Sequence, residues 1–225
     1  SVKTVMITGD HKDTAFAIAK ELGIASDMSQ CITGDELNNM TQDELNGIVG
    51  ELRVFARVSP ENKVMIVNAF RSHGDIVSMT GDGVNDAPSL KSADIGVAMG
   101  ITGTDVAKGA ADMVLMDDNF ATIKSAIEEG RNIYANIKKS VLFLLSSNLG
   151  EIMTMFTAIL VGLAAPLKAI HILWVNLITD SLPALALGVD AGDKDAMKKP
   201  PRDPKESLFA HGGYAITVLF GLLIG

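Results

Sequence analysis

The chain has 225 residues, which leaves room for one large domain or two small ones. It carries 19 Lys and Arg against 27 Asp and Glu, and the formal net charge of -8 argues against nucleic acid as a partner, because phosphate backbones attract clustered basic side chains. A charged content of 20% excludes a generally disordered chain, and the single cysteine excludes a disulfide framework. The mean hydropathy of +0.28 is high, although the hydrophobic content of 48% is ordinary.

The apolar residues are concentrated in the second half of the chain. Between Val141 and Val189 the only Asp, Glu, Lys or Arg residues are Glu151, Lys168 and Asp180, whereas the sequence before about residue 123 is an ordinary mixture. We therefore expect a soluble first part and a membrane-embedded second part. The first residues have no apolar core or cleavage signature of a signal peptide and enter a strand-like run at once, so we expect a chain cut from a longer one.

Short β-branched runs alternate with helix-patterned stretches in the soluble part. The predicted strands are Val2–Ile7, Val54–Val58, Ile76–Met79, Ile95–Met99 and Met113–Met116. The predicted helices are His11–Leu22 ended by Gly23, one opened by the capping box Thr41–Glu44, and one from the Ser59 cap through Phe70. This alternation predicts a parallel sheet with helices on both faces, whose ligands bind at the carboxyl ends of the strands.

Two predicted strands are followed by the same triplet of residues. Thr8, Gly9 and Asp10 follow the first strand, and the sequence Thr-Gly-Asp recurs at 80–82. A hydroxyl, a glycine and a carboxylate are also common in ordinary turns. Their recurrence at equivalent places favours a phosphate site, because glycine lets backbone amides approach a phosphate closely.

Further polar residues surround the second triplet. Asp82, Asn85 and Asp86 supply two carboxylates and an amide within five positions, which suits a hard cation such as Mg²⁺. Lys63 follows another predicted strand and is able to neutralise a phosphoryl group, although an isolated helix lysine is more often only solvated. Together with Thr8, these groups are the equipment for phosphoryl transfer.

Three stretches resemble motifs of the P-type cation-transporting ATPases: Met6–Thr14, Phe55–Lys63 and Thr80–Gly100. The resemblance implies a partial α/β domain of the haloacid-dehalogenase type, with a Rossmann-type parallel sheet, followed by all-α transmembrane helices. It implies that Asp82 binds Mg²⁺ and that Lys63 binds phosphate. It further implies that Thr8 and Gly9 contact the phosphoryl oxygens, and that Asp10, Asn85 and Asp86 belong to the same catalytic site.

Several parts of that family are missing from this sequence. It contains neither the DKTGT motif, whose aspartate is the family's nucleophile, nor the TGES loop that drives dephosphorylation. The nucleotide-binding domain and the first four membrane helices are also absent. We therefore expect this chain to be a carboxy-proximal part of a pump, which forms no aspartyl phosphate by itself.

The second half is predicted to be largely helical and to cross the membrane. Asn119–Lys139 has a helical pattern and continues into the apolar run Ser140–Leu163, which is long enough for a span. The expected divisions are a partial phosphorylation domain (1–122), a cytoplasmic stalk helix (123–139), two transmembrane helices (140–163 and 170–189) joined by a turn at 164–166, a loop (190–211) and the start of a truncated helix (212–225). The loop carries Lys194, Lys198, Lys199, Arg202 and Lys205. This charge predicts that the loop and residues 1–139 are cytoplasmic in a multi-pass protein.

Polar side chains inside the two full spans share helix faces. They are Asn148, Glu151, Asn176, Thr179 and Asp180. The first two are three positions apart, and the last three have helical spacings of three and four. Carboxylates within a membrane are costly and usually functional, whereas Asn and Thr also serve as polar contacts between helices. Because Pro183 has no N–H, it removes the helical donor to the Thr179 carbonyl, so these groups predict an all-oxygen site for a hard cation.

Ser146–Glu151 and Trp174–Asp180 resemble the ion-binding segments on the fifth and sixth membrane helices of the sarcoplasmic-reticulum-type Ca²⁺ pumps. The resemblance implies that the five polar residues are Ca²⁺ ligands. Ser181 stands where that group often has glycine, and the ligands of the fourth and eighth helices are missing. Na⁺, K⁺ and Mn²⁺ therefore stay open as transported ions.

The leading hypothesis is part of an ATP-driven pump that exports Ca²⁺ from the cytoplasm through an aspartyl-phosphate cycle. Its expected cofactor is Mg²⁺ and its substrate is ATP, bound mainly outside this chain. Its expected partners are the lipid bilayer and the remainder of the same polypeptide. The alternatives are a membrane-anchored phosphatase of the haloacid-dehalogenase type and a non-catalytic fragment.

Overall fold

A computed structural model describes residues 2–164, 166–203 and 205–224. Four residues of the predicted segments lie outside the described residues: Ser1, Ala165 of the turn, Pro204 of the loop and Gly225 of the last helix. The chain divides into two compact units, Val2–Ile123 and Lys124–Gly225, which are considered separately.

The described part of the first unit has an α/β structure. Its strands are β1 (Met6–Thr8), β2 (Cys31–Thr33), β3 (Val54–Ala56), β4 (Ser78–Gly81), β5 (Ile95–Met99) and β6 (Met113–Leu115). Its helices are α1 (Lys12–Glu21), α2 (Gly34–Asn38), α3 (Gln42–Ile48), α4 (Pro60–Ser72), α5 (Ala87–Ser92) and α6 (Asp105–Ala110). The strands form two three-stranded sheets with the orders β1-β3-β2 and β4-β5-β6, and every pairing is parallel, as the sequence predicted.

Helices cover both faces of the first sheet. Val54 and Ala56 of β3 lie in an apolar cluster with α1, whereas the intervening Phe55 lies in a cluster with α3 and α4. Successive side chains of a strand point to opposite faces, so this division follows from the strand itself. Ile7 and Val77 pack against the apolar clusters of both sheets, which therefore share one region of packing.

Strand pairing explains where the predicted strands differ from the observed ones. The run Val2–Ile7 was predicted as a strand, but β1 begins at Met6, because its partner β3 begins at Val54, directly opposite. In the same way β4 begins at Ser78 rather than at Ile76, because Ser78 pairs with the first residue of β5. The three-residue strand β2 and the short helices α2, α5 and α6 were not predicted.

The second unit is helical. Its elements are most of α7 (Phe120–Leu160), α8 (Ala169–Trp174), a π-helical turn (Val175–Thr179), α9 (Ser181–Gly188), a short 3₁₀ helix (Ala196–Lys198) and α10 (Gly213–Ile224). Among the described residues, two segments are long and apolar enough to cross a membrane, Phe120–Leu160 and Ala169–Gly188. The predicted helix through Leu163 ends earlier, because Gly162 has a φ of 76° and closes a Schellman cap in which the Leu163 N–H donates to the Ala158 carbonyl at 2.9 Å.

Two glycines bring α7 and α10 close together. A Cβ on Gly150 would lie 2.9 Å from the Cγ2 atom of Ile224, and a Cβ on Gly221 would lie 2.7 Å from the Leu149 side chain. Small residues allow such an approach between membrane helices, where dispersion contacts stabilise the packing. The crossing lies next to Glu151, so it supports the part of α7 that carries this carboxylate.

Candidate functional site

Lys63 and Asp86 form an ion pair near the ends of α4 and β4. Helix α4 begins with a reciprocal cap, in which the Asn62 N–H donates to the Ser59 hydroxyl at 3.2 Å and the Ser59 N–H donates to the Asn62 side chain at 2.9 Å. Lys63 therefore lies in a firmly capped first turn. Its Nζ is 2.5 Å from Oδ1 of Asp86, a residue that is only 6% exposed.

The turn after β4 folds around the second oxygen of Asp86. Oδ2 accepts hydrogen bonds from the N–H groups of Asp82 at 3.2 Å and Gly83 at 3.1 Å. A Cβ on Gly81 would lie 2.5 Å from the Cβ of Asp86, so this position needs glycine. Burial raises the pKa of Asp86, but Lys63 and the two amides outweigh it and hold the pKa below its ordinary value. Asp86 is thus a structural anion within this site.

Asp82 is arranged differently. Its carboxylate is exposed and accepts no hydrogen bond within the described part of the chain, and Asn85 is exposed as well. The Asp82 carbonyl accepts a hydrogen bond from the N–H of Thr104, which caps α6, at 2.8 Å. A free carboxylate oxygen at the end of a parallel strand fits Mg²⁺. No group of three or more His, Cys, Asp or Glu side chains with metal-binding geometry occurs among the described residues.

The triplet after β1 is organised locally. The Thr8 hydroxyl donates to Oδ2 of Asp10 at 2.9 Å, and the Asp10 N–H donates back to that hydroxyl oxygen at 3.1 Å. Gly9 faces open space, since a Cβ there would meet nothing within 4 Å. The structure therefore joins Lys63 and Asp86 to the Asp82 backbone, whereas the described hydrogen bonds of the Thr8 triplet do not reach them.

The membrane-length helices bring a second set of polar residues together. The Asn176 amide donates to Oε2 of Glu151 at 3.2 Å and to the Ile172 carbonyl at 3.0 Å. Asp180 follows the π-helical turn, and its N–H donates to the carbonyl of Val175, five residues earlier, at 2.9 Å. Single π-helical turns within helices often mark functional sites.

Two carboxylate oxygens in this unit are buried without a hydrogen-bond partner among the described residues, Oε1 of Glu151 and Oδ2 of Asp180. Asp180 is only 3% exposed. Buried acceptors without a partner are costly, because they have lost water and gained nothing in exchange. Both oxygens are suited to a cation, as the donor set of carboxylates and an amide also indicates.

The other predicted ligands are not joined to this group. Asn148 and Thr179 are both exposed, and their side chains make no described hydrogen bond with Glu151, Asn176 or Asp180. Sequence reasoning missed a contact of Ser181, whose hydroxyl donates to the Asn176 carbonyl at 3.1 Å. The only indication of this contact in the sequence was that Ser181 stands where the Ca²⁺ pumps often have glycine. This hydroxyl partners one carbonyl of the widened turn.

Two family models match the chain on either side of α7. Residues 1–94 match the model described as haloacid dehalogenase-like hydrolase. Residues 164–225 match the model described as Cation transporting ATPase, C-terminus. A solved structure of the catalytic domain of the CPx-ATPase CopB-B is 31% identical, covers 55% of this chain and 38% of its own, and has a TM-score of 0.41.

Three curated relatives match between 92% and 100% of the chain. Calcium-transporting ATPase 1 of Bacillus cereus is 68% identical over 100% of this chain and 25% of its own length. Calcium-transporting ATPase type 2C member 1 of Homo sapiens is 51% identical over 92% of this chain and 22% of its own. The P-type sodium-transporting ATPase4 of Toxoplasma gondii is 48% identical over 92% of this chain and 16% of its own.

The chain thus spans about a quarter or less of the length of these relatives. The first model lies on the unit that contains Lys63, Asp82 and Asp86, and the second includes Asn176 and Asp180. The order of the two models along the chain is the order of the two candidate sites. The chain is therefore similar, in both of its units, to parts of P-type cation-transporting ATPases.

Proposed function

We propose that this chain is the carboxy-proximal part of an ATP-driven pump that exports Ca²⁺ from the cytoplasm. The observation that carries the proposal is a pair of buried oxygens, of Glu151 and Asp180, in segments of membrane-crossing length; neither has a hydrogen-bond partner in the part of the chain that the structure describes. A carboxylate within a membrane-spanning segment is a functional-site hypothesis by default. The Asn176 amide, held between Glu151 and Ile172, adds an oxygen ligand at the same place.

The soluble unit supplies the phosphate chemistry in this proposal. Asp82 holds Mg²⁺, which neutralises charge on the transferred phosphoryl group. Asp86 keeps the Lys63 ammonium in a fixed position through the 2.5 Å ion pair, and Lys63 stabilises the phosphoryl oxygens. Thr8, Gly9, Asp10 and Asn85 complete the surroundings of the phosphoryl group.

The phosphorylated aspartate comes from the remainder of the polypeptide, where ATP also binds. Strands β1 and β4 are edge strands of their sheets, so their outer N–H and C=O groups are free to pair with a further strand. Thr8 ends β1 and Asp82 directly follows β4, so a residue carried by such a strand would enter between the two triplets. This arrangement supports a shared site to which the rest of the pump contributes the nucleophile.

The polypeptide crosses the bilayer several times in this proposal, with residues 1–139 and 190–211 in the cytoplasm. Support comes from the basic side chains of the loop and from its contacts with the cytoplasmic end of α7. The Arg131 guanidinium donates to the carbonyls of Ala196 at 2.8 Å and Lys199 at 3.0 Å, and Lys139 pairs with Asp190 at 2.6 Å. These contacts keep the loop at the same end of the span as the stalk.

The choice of Ca²⁺ rests on ligand chemistry and on the printed names of the relatives. Carboxylate, amide and carbonyl oxygens suit Ca²⁺, but ligand number and cavity size decide between hard cations. A relative named for sodium transport is nearly as similar as several named for calcium transport. Asn148 and Thr179 would complete the shell in the full pump, together with ligands from other helices.

The test uses the full-length pump and measures acid-stable phosphorylation from labelled ATP during titrations with Ca²⁺, Mn²⁺, Na⁺ and K⁺. We expect phosphoenzyme only with Ca²⁺ in the micromolar range. Glu151→Gln should remove this response, whereas Glu129→Gln, which changes an exposed glutamate on the same helix, should leave it intact. Dependence on another ion would retain the pump and overturn Ca²⁺ as its cargo.

The absence of phosphoenzyme with every ion would instead favour a phosphatase or a non-catalytic fragment. The relatives do not favour either alternative, since those reported above are named as transporting ATPases. A phosphatase would also leave the unpartnered oxygens of Glu151 and Asp180 without a role.

A further inference from the structure

Asp118 lies two residues before α7 and binds the loop that follows β5. Its Oδ1 accepts hydrogen bonds from the N–H groups of Gly100 at 2.6 Å and Ile101 at 3.0 Å. Its Oδ2 accepts two more from Thr102, from the N–H and from the hydroxyl, both at 2.8 Å. Four donors on one carboxylate form a stiff connection, because hydrogen bonds to a charged acceptor are the strong ones.

The same loop reaches the phosphate site at its other end. Thr104 ends the loop, and its N–H donates to the carbonyl of Asp82 at 2.8 Å. The beginning of the loop is pressed against the end of β6, since a Cβ on Gly100 would lie 2.5 Å from the Leu115 carbonyl oxygen. The short segment 100–104 is therefore hydrogen-bonded to Asp118 at its beginning and to Asp82 at its end.

The residues beside Asp118 hold the first turn of α7. The Thr122 hydroxyl donates to Oδ2 of Asp117 at 2.6 Å, and the Ala121 N–H donates to the Asn119 side chain at 2.9 Å. Asp118 itself has a φ of 49°, a left-handed conformation that Asp and Asn tolerate better than most residues. The backbone therefore turns sharply at Asp118 and enters the helix directly.

The hydrogen bonds also keep Asp118 charged. The Ile101 amide and the neighbouring donors of the loop lower the pKa of Asp118 from 3.8 to about 2. The carboxylate is therefore ionised at neutral pH, where it accepts hydrogen bonds from all four donors.

We propose that Asp118 is a positioning residue that ties the Asp82 loop to the start of α7, so that a change at the phosphate site is transmitted to the helix carrying Glu151. The inference rests on the proposed function and deepens it, because it names a residue that links the phosphate and cation sites. The coupling between two sites is measured as a free energy. It requires a structural element whose conformational equilibrium is shifted by both sites. Asp118 connects that element, α7, to the phosphate site.

The test compares two isosteric variants of the full-length pump. Asp118→Asn keeps the shape and tolerates the positive φ, but it loses the charge and turns an NH₂ donor towards donors of the loop. The matched control is Asp112→Asn, since Asp112 accepts one hydrogen bond from the Gly96 N–H at 2.8 Å, at the opposite end of β5. Thr102→Val, which removes one of the four donors, is a milder second variant should Asp118→Asn fail to fold.

Two phosphorylation measurements separate the sites. Labelled inorganic phosphate with Mg²⁺ and without Ca²⁺ reports on the phosphate site alone, as the reverse of phosphoenzyme hydrolysis. Labelled ATP with and without Ca²⁺ reports on coupling. We expect Asp118→Asn to keep phosphorylation from inorganic phosphate within about twofold of the unchanged protein. The Ca²⁺ stimulation of phosphorylation from ATP should fall about fivefold or more, which is the lower end of ordinary coupling. Thr102→Val should change in the same direction by less.

A parallel loss in both measurements, accompanied by a lower unfolding temperature, would make Asp118 a merely structural residue and overturn the proposal. Behaviour identical to that of Asp112→Asn would overturn it as well. A failure of the proposed function is recognised separately, because the unchanged pump would then form no Ca²⁺-dependent phosphoenzyme.

Discussion

The two candidate sites hold their buried carboxylates in opposite ways. In the α/β unit, Asp86 has Lys63 on one oxygen and two backbone amides on the other. In the helical unit, Glu151 and Asp180 each keep one buried oxygen without a partner among the described residues. The buried carboxylate of the first site is satisfied by its neighbours, whereas the second site keeps acceptors that a cation would satisfy under the proposed function.

This difference fits the role that the proposed function gives to each site. A satisfied network is preorganised, so it stabilises a developing charge without moving during the reaction. An unsatisfied group is destabilising, and a ligand that binds only the folded form offsets that cost. The α/β unit therefore offers fixed electrostatics, and under the proposed function the helical unit offers a binding site whose stability depends on its ligand.

The largest expected effect tests the candidate cation site of the helical unit. Asp180→Ala in the full-length pump removes a buried carboxylate ligand, so we expect Ca²⁺-dependent phosphorylation to need about 100-fold more Ca²⁺ or to disappear, where each tenfold is about 1.4 kcal/mol. Phosphoenzyme formed from labelled ATP measures this. Thr217→Ala, in which a hydroxyl donor to the Gly213 carbonyl is lost from α10, is the control. Normal phosphorylation of Asp180→Ala would exclude Asp180 as a ligand.

The next effect tests whether Asp86 depends on its partner. Lys63→Met leaves a buried carboxylate uncompensated, and we expect a loss of about 3 kcal/mol in the free energy of unfolding, the lower end for a broken buried pair. Calorimetry of the full-length protein measures the shift of the unfolding transition. Adding Asp86→Asn to Lys63→Met should recover part of the loss. No recovery would mean that Lys63 stabilises the fold by packing rather than by charge.

A smaller effect concerns the backbone beneath Asp86. Gly81→Ala places a Cβ 2.5 Å from that of Asp86, and we expect a loss of about 1–3 kcal/mol from overpacking, together with weaker phosphorylation. Gly47→Ala in α3 is the control, because a Cβ there meets nothing within 4 Å and should stabilise the helix by up to about 1 kcal/mol. Equal effects of the two variants on phosphorylation would contradict the role of Gly81.

The smallest expected effect is the pH dependence of the stabilisation that the Asp118 carboxylate provides. The loop amides lower the pKa of Asp118 from 3.8 to about 2, so its stabilising contribution is present above about pH 4 and is lost as the pH falls towards 2. Asp117 faces the same turn, and the Thr122 hydroxyl lowers its pKa too. The difference in unfolding temperature between the unchanged pump and Asp118→Asn should therefore shrink between pH 5 and pH 2.5. A constant difference would show that the charge of Asp118 contributes nothing.

Much of the fold was predictable because its signals are local. The Thr41 and Ser59 caps, the Gly23 helix end and β5 are all found where the sequence placed them. The first residues of β1 and β4 were not predictable, because each strand begins opposite the first residue of its partner strand. The strand β2 was missed since three residues, Cys31–Thr33, are too short for a periodic signal.

The sequence by itself determined the residue types of both sites, since Lys63, Asp82 and Asp86 and the acids at 151 and 180 are recognisable from their spacing and setting. Only the tertiary structure decided which of them are satisfied. Spacing along the chain places residues on one face of a helix, but a hydrogen bond also needs a partner from another element, as Asn176 meets Glu151 across 25 positions. The link between Asp118 and Asp82 is of the same kind, because it depends on a loop folded between two strands.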